Sequence, residues 1–232
     1  MDSSIARQSI TVPAMFFCVV GKEFTLLQGI AGLPAKKGEK KLNKKTLFLV
    51  EVAVFAALAF LLDLASNFIF SRIWPQGGSV SIAMVPIFLI AFRWGIKGGV
   101  LTGLLLGMLQ MISNPSIYHP VQGFIDYFLA FSVVGVAGVF AGQVSNAYAD
   151  DAKTKGMSYA IAGIFAGSLL RFLCHFYTGI VFFGTYAPKG QPVALYSLVY
   201  NGTYMLGSFV LSAVVVVMLY AAASRVLVRK AY

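Results

Sequence analysis

Gln122, Asp126 and Tyr127 fall within one six-residue stretch, Arg171 and His175 stand four residues apart, and Tyr196, Tyr200, Asn201 and Tyr204 crowd a nine-residue stretch. On a helix, residues four apart share a face, so Gln122 sits beside Asp126 and Arg171 beside His175. A carboxylate among aromatic faces suits a cation, through charge pairing and cation–π attraction, or an aromatic ring with exocyclic donors. That is binding chemistry. Catalysis would need a nucleophile or a metal set beside these groups, and none accompanies them. Cys18 and Cys174 show no Cys-x-x-Cys or Cys/His spacing, so neither a disulfide nor a zinc site is expected. A Walker-type Gly-x-x-x-x-Gly-Lys-Ser/Thr is missing too, so the chain is not an ATPase by itself. No cofactor, no metal and no enzyme activity are expected.

The elements that must position these residues follow from composition. The chain has 232 residues, 59% hydrophobic and only 11% charged, with a mean hydropathy of +0.81. So few charges cannot clothe a water-soluble domain of this size. Long apolar runs, rather than alternating ten-residue segments, predict an all-α integral membrane protein rather than a barrel. Stretches near the ~20 residues needed to cross a hydrocarbon core predict six transmembrane helices at about 47–70, 79–95, 96–113, 121–145, 157–183 and 193–224. Gly95, Gly98 and Gly99 with Arg93 and Lys97 predict a tight hairpin between the second and third. Gly99, Gly103 and Gly107 recur every four residues, the spacing that lets helices approach closely in lipid.

Orientation follows from the basic residues. With both termini inside (N-in/C-in), Lys36, Lys37, Lys40, Lys41, Lys44, Lys45, Arg93, Lys97, Lys153, Lys155, Arg225, Arg229 and Lys230 flank the inner ends. Only Arg72 and Lys189 fall outside. The net charge of +10 is then flanking charge facing the anionic inner leaflet of the lipid bilayer, and calls for no nucleic acid. Residues 1–45 read as a cytoplasmic extension, disordered or peripheral, ahead of a membrane domain at 46–232. Reading residues 10–20 as the core of a signal peptide would leave the lysine run outside, against this rule.

Ionisable groups within spans carry the most information, because each is costly in lipid unless it is paired or near water. Glu51 and Asp63 lie in the first span, Asp126 early in the fourth, Arg171 and His175 in the fifth. The alternating direction of the spans brings Asp126, His175 and the tyrosine cluster to the outer half. Trp74 joins them from the first connection, and Phe182, Phe183 and Tyr186 from the end of the fifth helix. Trp74 and Tyr186 also suit an interfacial aromatic belt, and Arg171 suits pairing with a carboxylate or positioning of His175. On the first helix, Ala53 and Ala57 form a small-xxx-small face that admits another helix or packs internally.

Four segments carry a resemblance: "GGSVSIAMVPIFLIAFRWGIKGGVLTGLLLGMLQ", "HPVQGFIDYFLAF", "RFLCHFYTGIVFFGTYAP" and "LYSLVYNGTY". In this order, and over about residues 46–230, the chain resembles the thiamine-specific substrate-binding (S) component of energy-coupling factor transporters. The resemblance implies a six-helix protein that captures thiamine from outside and delivers it by docking on a transmembrane coupling subunit driven by two ATPases. It places substrate binding on Asp126 and Tyr127 with Gln122, on His175, on Tyr196 and Asn201, and on Trp74 and Phe183; it places partner docking on Ala53 and Ala57. Two positions depart from the family pattern. Ser116 stands where members often carry tyrosine, with Tyr118 displaced by two, and Phe183 stands where tryptophan can occur. Beside this reading stand an S component for another vitamin, a self-sufficient proton-coupled carrier titrating Asp126 or Asp63, and an intramembrane enzyme built on Asp126 and His175.

Overall fold

The computed structural model describes residues 43–70, 73–74, 78–113 and 115–227. Readings that fall on residues 1–42, on Arg72 and on Arg229 and Lys230 lie outside the described residues; they include the extension, Cys18 and most of the lysine run. The chain folds into α1 (Lys44–Phe70), α2 (Met84–Trp94), α3 (Ile96–Ser113), α4 (Pro120–Ala149), α5 (Lys153–Phe182) and α6 (Val193–Leu227), with no strand among the described residues. All except α2 are long and apolar enough to cross a membrane. The helical path of α6 breaks at Ala223.

The expected second span at 79–95 is corrected: only the 11 residues Met84–Trp94 are helical. At 1.5 Å per residue they rise about 16 Å, half of a ~30 Å hydrocarbon core. The reason is local. Proline is tolerated in the first helical turn but not in the interior, and a helix begun at Ser79 would bury Pro86 in its interior. Gly78 has a φ of 99°, and a Cβ there would strike the Tyr204 ring. The non-helical backbone leading into α2 is satisfied by hydroxyls: Ser81 N–H donates to Ser208 Oγ (3.0 Å), Ile82 N–H to Ser66 Oγ (3.4 Å) and Ala83 N–H to Ser81 Oγ (3.1 Å). Unwound backbone inside a membrane protein requires such partners. Met84 to Phe92 are all buried, so α2 is an axial helix with no lipid face.

At the far end of α2, Arg93 and Glu51 of α1 form a bidentate ion pair, Nε to Oε2 at 2.7 Å and NH2 to Oε1 at 2.8 Å, and Trp94 Nε1 also donates to Oε2. Arg93 is therefore largely internal. Counted above as a flanking charge, it neutralises a buried carboxylate instead. The chain then reverses in one residue at Gly95, whose φ of 75° suits glycine.

The α3 glycines set the α3–α4 contact. A Cβ at Gly99 would strike the backbone of Gly135; at Gly103, that of Phe131; at Gly107, that of Tyr127. The two helices thus touch backbone to backbone in antiparallel register, the close approach expected of small residues in lipid. α4 responds with irregular turns: Phe124–Leu129 is π-helical and Gly135–Phe140 is a 3-10 helix.

Candidate functional site

The π turn of α4 carries Asp126 and Tyr127, and such turns re-aim side chains within a helix. Across from it, Arg171, His175 and Thr178 fall on one stripe of α5. The Asp126 carboxylate gathers the site: Oδ1 lies 2.9 Å from His175 Nδ1 and accepts from Thr178 Oγ1 at 2.7 Å, while Oδ2 accepts from Gln122 Nε2 at 2.7 Å. Arg171 Nε points at His175 Nε2 at 3.4 Å. An arginine can only donate, so this contact favours the histidine tautomer that carries its proton on Nδ1 and donates it to Asp126. Arg171 is buried, with its guanidinium carbon 4.1 Å from the centroid of the Phe131 ring.

These groups line a cavity of about 780 Å³ at one end of the helices, within the ~300–1,000 Å³ range of small-molecule sites. The ends of α1, α3 and α5, the starts of α4 and α6, and Trp74, Gly78, Ser79, Pro115 and Ser116 from the connections all contribute wall. Gln122, Asp126, Tyr127, His175, Tyr196, Asn201, Trp74 and Phe183 all stand on that wall. Tyr196, Tyr200 and Tyr204 form a ladder one turn apart, with ring centroids 5.6 Å and 6.3 Å apart along it. Tyr204 meets Trp74 edge-on at 6.0 Å, and Trp74 Nε1 donates to Thr203 Oγ1 at 3.2 Å. Asn201 is braced by its own helix: its amide donates to Ser197 O and its carbonyl accepts from Tyr204 OH at 2.7 Å. Gly179 makes room for that bracing, since a Cβ there would strike Ser197 and Asn201.

The two departures from the family pattern take part in the same wall. Ser116 N–H donates to Tyr127 OH at 2.7 Å, and Tyr118 packs edge-on against Phe183 at 5.2 Å.

A second polar group on the wall was read from the sequence only as a candidate titrating group of a carrier, not as part of the binding site. Asp63 accepts from Asn67 Nδ2 (2.8 Å) and Ser81 Oγ (3.1 Å), and Asn67 Oδ1 accepts from Ser79 Oγ (2.7 Å). Gln110 joins the lining from α3. The signal was present: Asp63 and Asn67 are one turn apart, near the cavity end of α1. Thr178, one turn beyond His175, was likewise readable. Ala53 and Ala57 stand away from the cavity on the exposed face of α1, so they do not pack internally among the described residues. The described residues also hold no cluster of His, Cys, Asp and Glu suited to a metal.

Membrane-length helices around a polar, aromatic-lined cavity define a multi-pass membrane protein of the small-molecule transport class. The chain belongs to the thiamine transporter protein family, whose match spans residues 49–228. It is 47% identical over 186 residues to the thiamine transporter ThiT of Bacillus subtilis strain 168, covering 80% of this chain and 96% of that one. ThiT of Lacticaseibacillus paracasei is 33% identical over 192 residues, 81% of this chain and 94% of that protein. Among solved structures, ThiT from Listeria monocytogenes matches with a TM-score of 0.73 at 32% identity, over 80% of this chain and 99% of that one. The family is one of cell-membrane transporters, not of enzymes.

Proposed function

We propose that this protein is the thiamine-binding S component of an energy-coupling factor transporter: it captures thiamine tightly at the outer face and delivers it by docking on a transmembrane coupling subunit driven by two ATPases. The observation that carries the reading is the Asp126 carboxylate, held by three donors on the wall of an aromatic-lined cavity. Thiamine joins a cationic ring to an aminopyrimidine, and such a site matches both, by charge and by hydrogen bonding to the amino group. In this reading Asp126 and His175 address the polar edge of the ligand, Asn201 adds an acceptor, and Trp74, Tyr127, Phe183 and Tyr196 supply ring faces.

The reading takes the chain across the membrane six times, α2 with its non-helical approach making one crossing, with both termini inside. Lys44, Lys45, Lys97, Lys153 and Lys155 lie at helix ends opposite the cavity, and Lys189 lies at the cavity end, which supports that orientation. The exposed Ala53 and Ala57 support docking, because small side chains let a partner helix approach closely. Titration calorimetry of the purified chain with thiamine, riboflavin and biotin tests the assignment. Thiamine alone should bind tightly without ATP; equal or tighter binding of either other vitamin would refute it, and ATP-independent uptake into vesicles would replace the S component with a self-sufficient carrier.

A further inference from the structure

Gln122 is 2% exposed, and protein groups occupy both N–H donors of its amide. Nε2 donates to Asp126 Oδ2 at 2.7 Å and to the Ser116 carbonyl at 3.3 Å, while Oε1 accepts from Tyr118 N–H at 3.0 Å. The Asp126 carboxylate is unevenly filled in turn. Oδ1 faces two donors, His175 and Thr178, and Oδ2 faces one, Gln122. Each carboxylate oxygen takes about two donors, so the acceptor position left over is on Oδ2, beside the Gln122 amide.

We infer that Gln122 is a positioning residue rather than a ligand contact: it aims the remaining lone pair of Asp126 Oδ2 at one N–H or cationic group of the ligand and ties that carboxylate to the backbone of residues 116–118. The inference rests on reading this cavity as the thiamine site, and refines it. The 116–118 connection is held from its other side by Ser116 N–H on Tyr127 OH and by the Tyr118 ring on Phe183. Glutamine alone meets these demands at once. Its amide donates to a carboxylate one turn on while its carbonyl reaches back to a backbone N–H; asparagine is one methylene shorter, and glutamate would set two negative charges together.

Double-variant titration and a pH series on the full-length protein test this. Replacing the amide by Gln122→Met should weaken thiamine binding about tenfold, and by less than about twofold when Asp126 is already asparagine, because groups acting through one another are not additive. Equal losses in both backgrounds would overturn the inference. Wild-type affinity in Asp126→Asn alone would instead overturn the reading of the site. Gln122→Glu supplies a readout that packing alone would not move. At acid pH the introduced carboxyl shares a proton with Asp126 and donates to Oδ2; as pH rises the proton leaves, the two carboxylates repel and the aim is lost.

The other titratable and charged groups on this wall are Tyr127 on α4, His175 and Arg171 on α5, Asp63 on α1 and Tyr196, Tyr200 and Tyr204 on α6; these, and Tyr118 and His119 just ahead of Gln122, are unchanged in this variant. Affinity divided by that of wild type should therefore fall with rising pH and recover on the same sample when it is re-acidified. A ratio that is flat or rises with pH would overturn the inference, even where the double variant binds too weakly to titrate.

Discussion

Adding one methyl group at Gly107 should damage ligand binding from outside the cavity wall. The new Cβ would lie 2.8 Å from the Tyr127 carbonyl carbon and closer still to its oxygen, where carbon contacts normally settle near ~3.5–4.0 Å. α3 and α4 must then part by about 1 Å, and the segment that moves is the π turn carrying Asp126. The Asp126 bonds to His175, Thr178 and Gln122 span 2.7–2.9 Å, and a shift of that size takes them past the ~3.2 Å limit of a good hydrogen bond. Losing one bond to a charged group is worth about 1.5–3 kcal/mol, or roughly 10- to 100-fold in affinity.

Overpacking adds about 1–3 kcal/mol of lost stability. Calorimetric titration with thiamine and a thermal unfolding scan read the two effects separately. Gly135→Ala is the internal comparison, since it makes the same kind of backbone collision two helical turns further along α4. It should lower the melting midpoint similarly and change affinity by less than about threefold, as expected for a distant site. Gly142→Ala meets nothing within 4 Å and should be neutral or slightly stabilising. Equal affinity losses at 107 and 135 would refute the reasoning, because the damage would then come from packing at large and not from the position of Asp126.

Replacing both Ala53 and Ala57 by tryptophan should leave thiamine affinity of the isolated chain nearly unchanged while abolishing co-purification with the coupling subunit and ATP-driven uptake; a double variant that still docks and transports would remove this face from the mechanism. Glu51→Ala removes the carboxylate that receives Arg93 and Trp94, and breaking such a buried pair costs about 3–5 kcal/mol. The melting midpoint should drop sharply while the folded protein keeps thiamine affinity within about twofold, since the pair lies at the end of α2 remote from the cavity.

What the sequence disclosed depended on whether a residue's type alone marked it or its role needed a partner that only the fold supplies. The expected third span coincides with α3, and the hairpin at Gly95 was marked by its glycines. Asp126, His175 and Asn201 stood out because ionisable and amide groups are rare in apolar helices. Arg93 misled for the opposite reason. Its position beside a turn reads as flanking charge, and only the fold shows that Glu51, 42 residues earlier, neutralises it. The shortened α2 was hidden because Ser79 and Ser81 look like weak helix residues until Asn67, Asp63 and Ser208 are seen to receive them. Periodicity could not show that Gln122 spends its amide on the backbone of a neighbouring connection, since that contact runs against the helical direction.

The truncation of α2 decides what stands at the cavity end of its path. Against an apolar slab of ~30 Å, the 11 residues of α2 rise about 16 Å, so roughly 14 Å is left to the non-helical segment ahead of it. Stopping one helix early thus leaves polar backbone and serine hydroxyls, rather than apolar helix, at the cavity end. Gly78 and Ser79, just ahead of α2, stand on the cavity wall, and Pro86 keeps the helix from growing back into them: one added turn would advance it by about 5.4 Å.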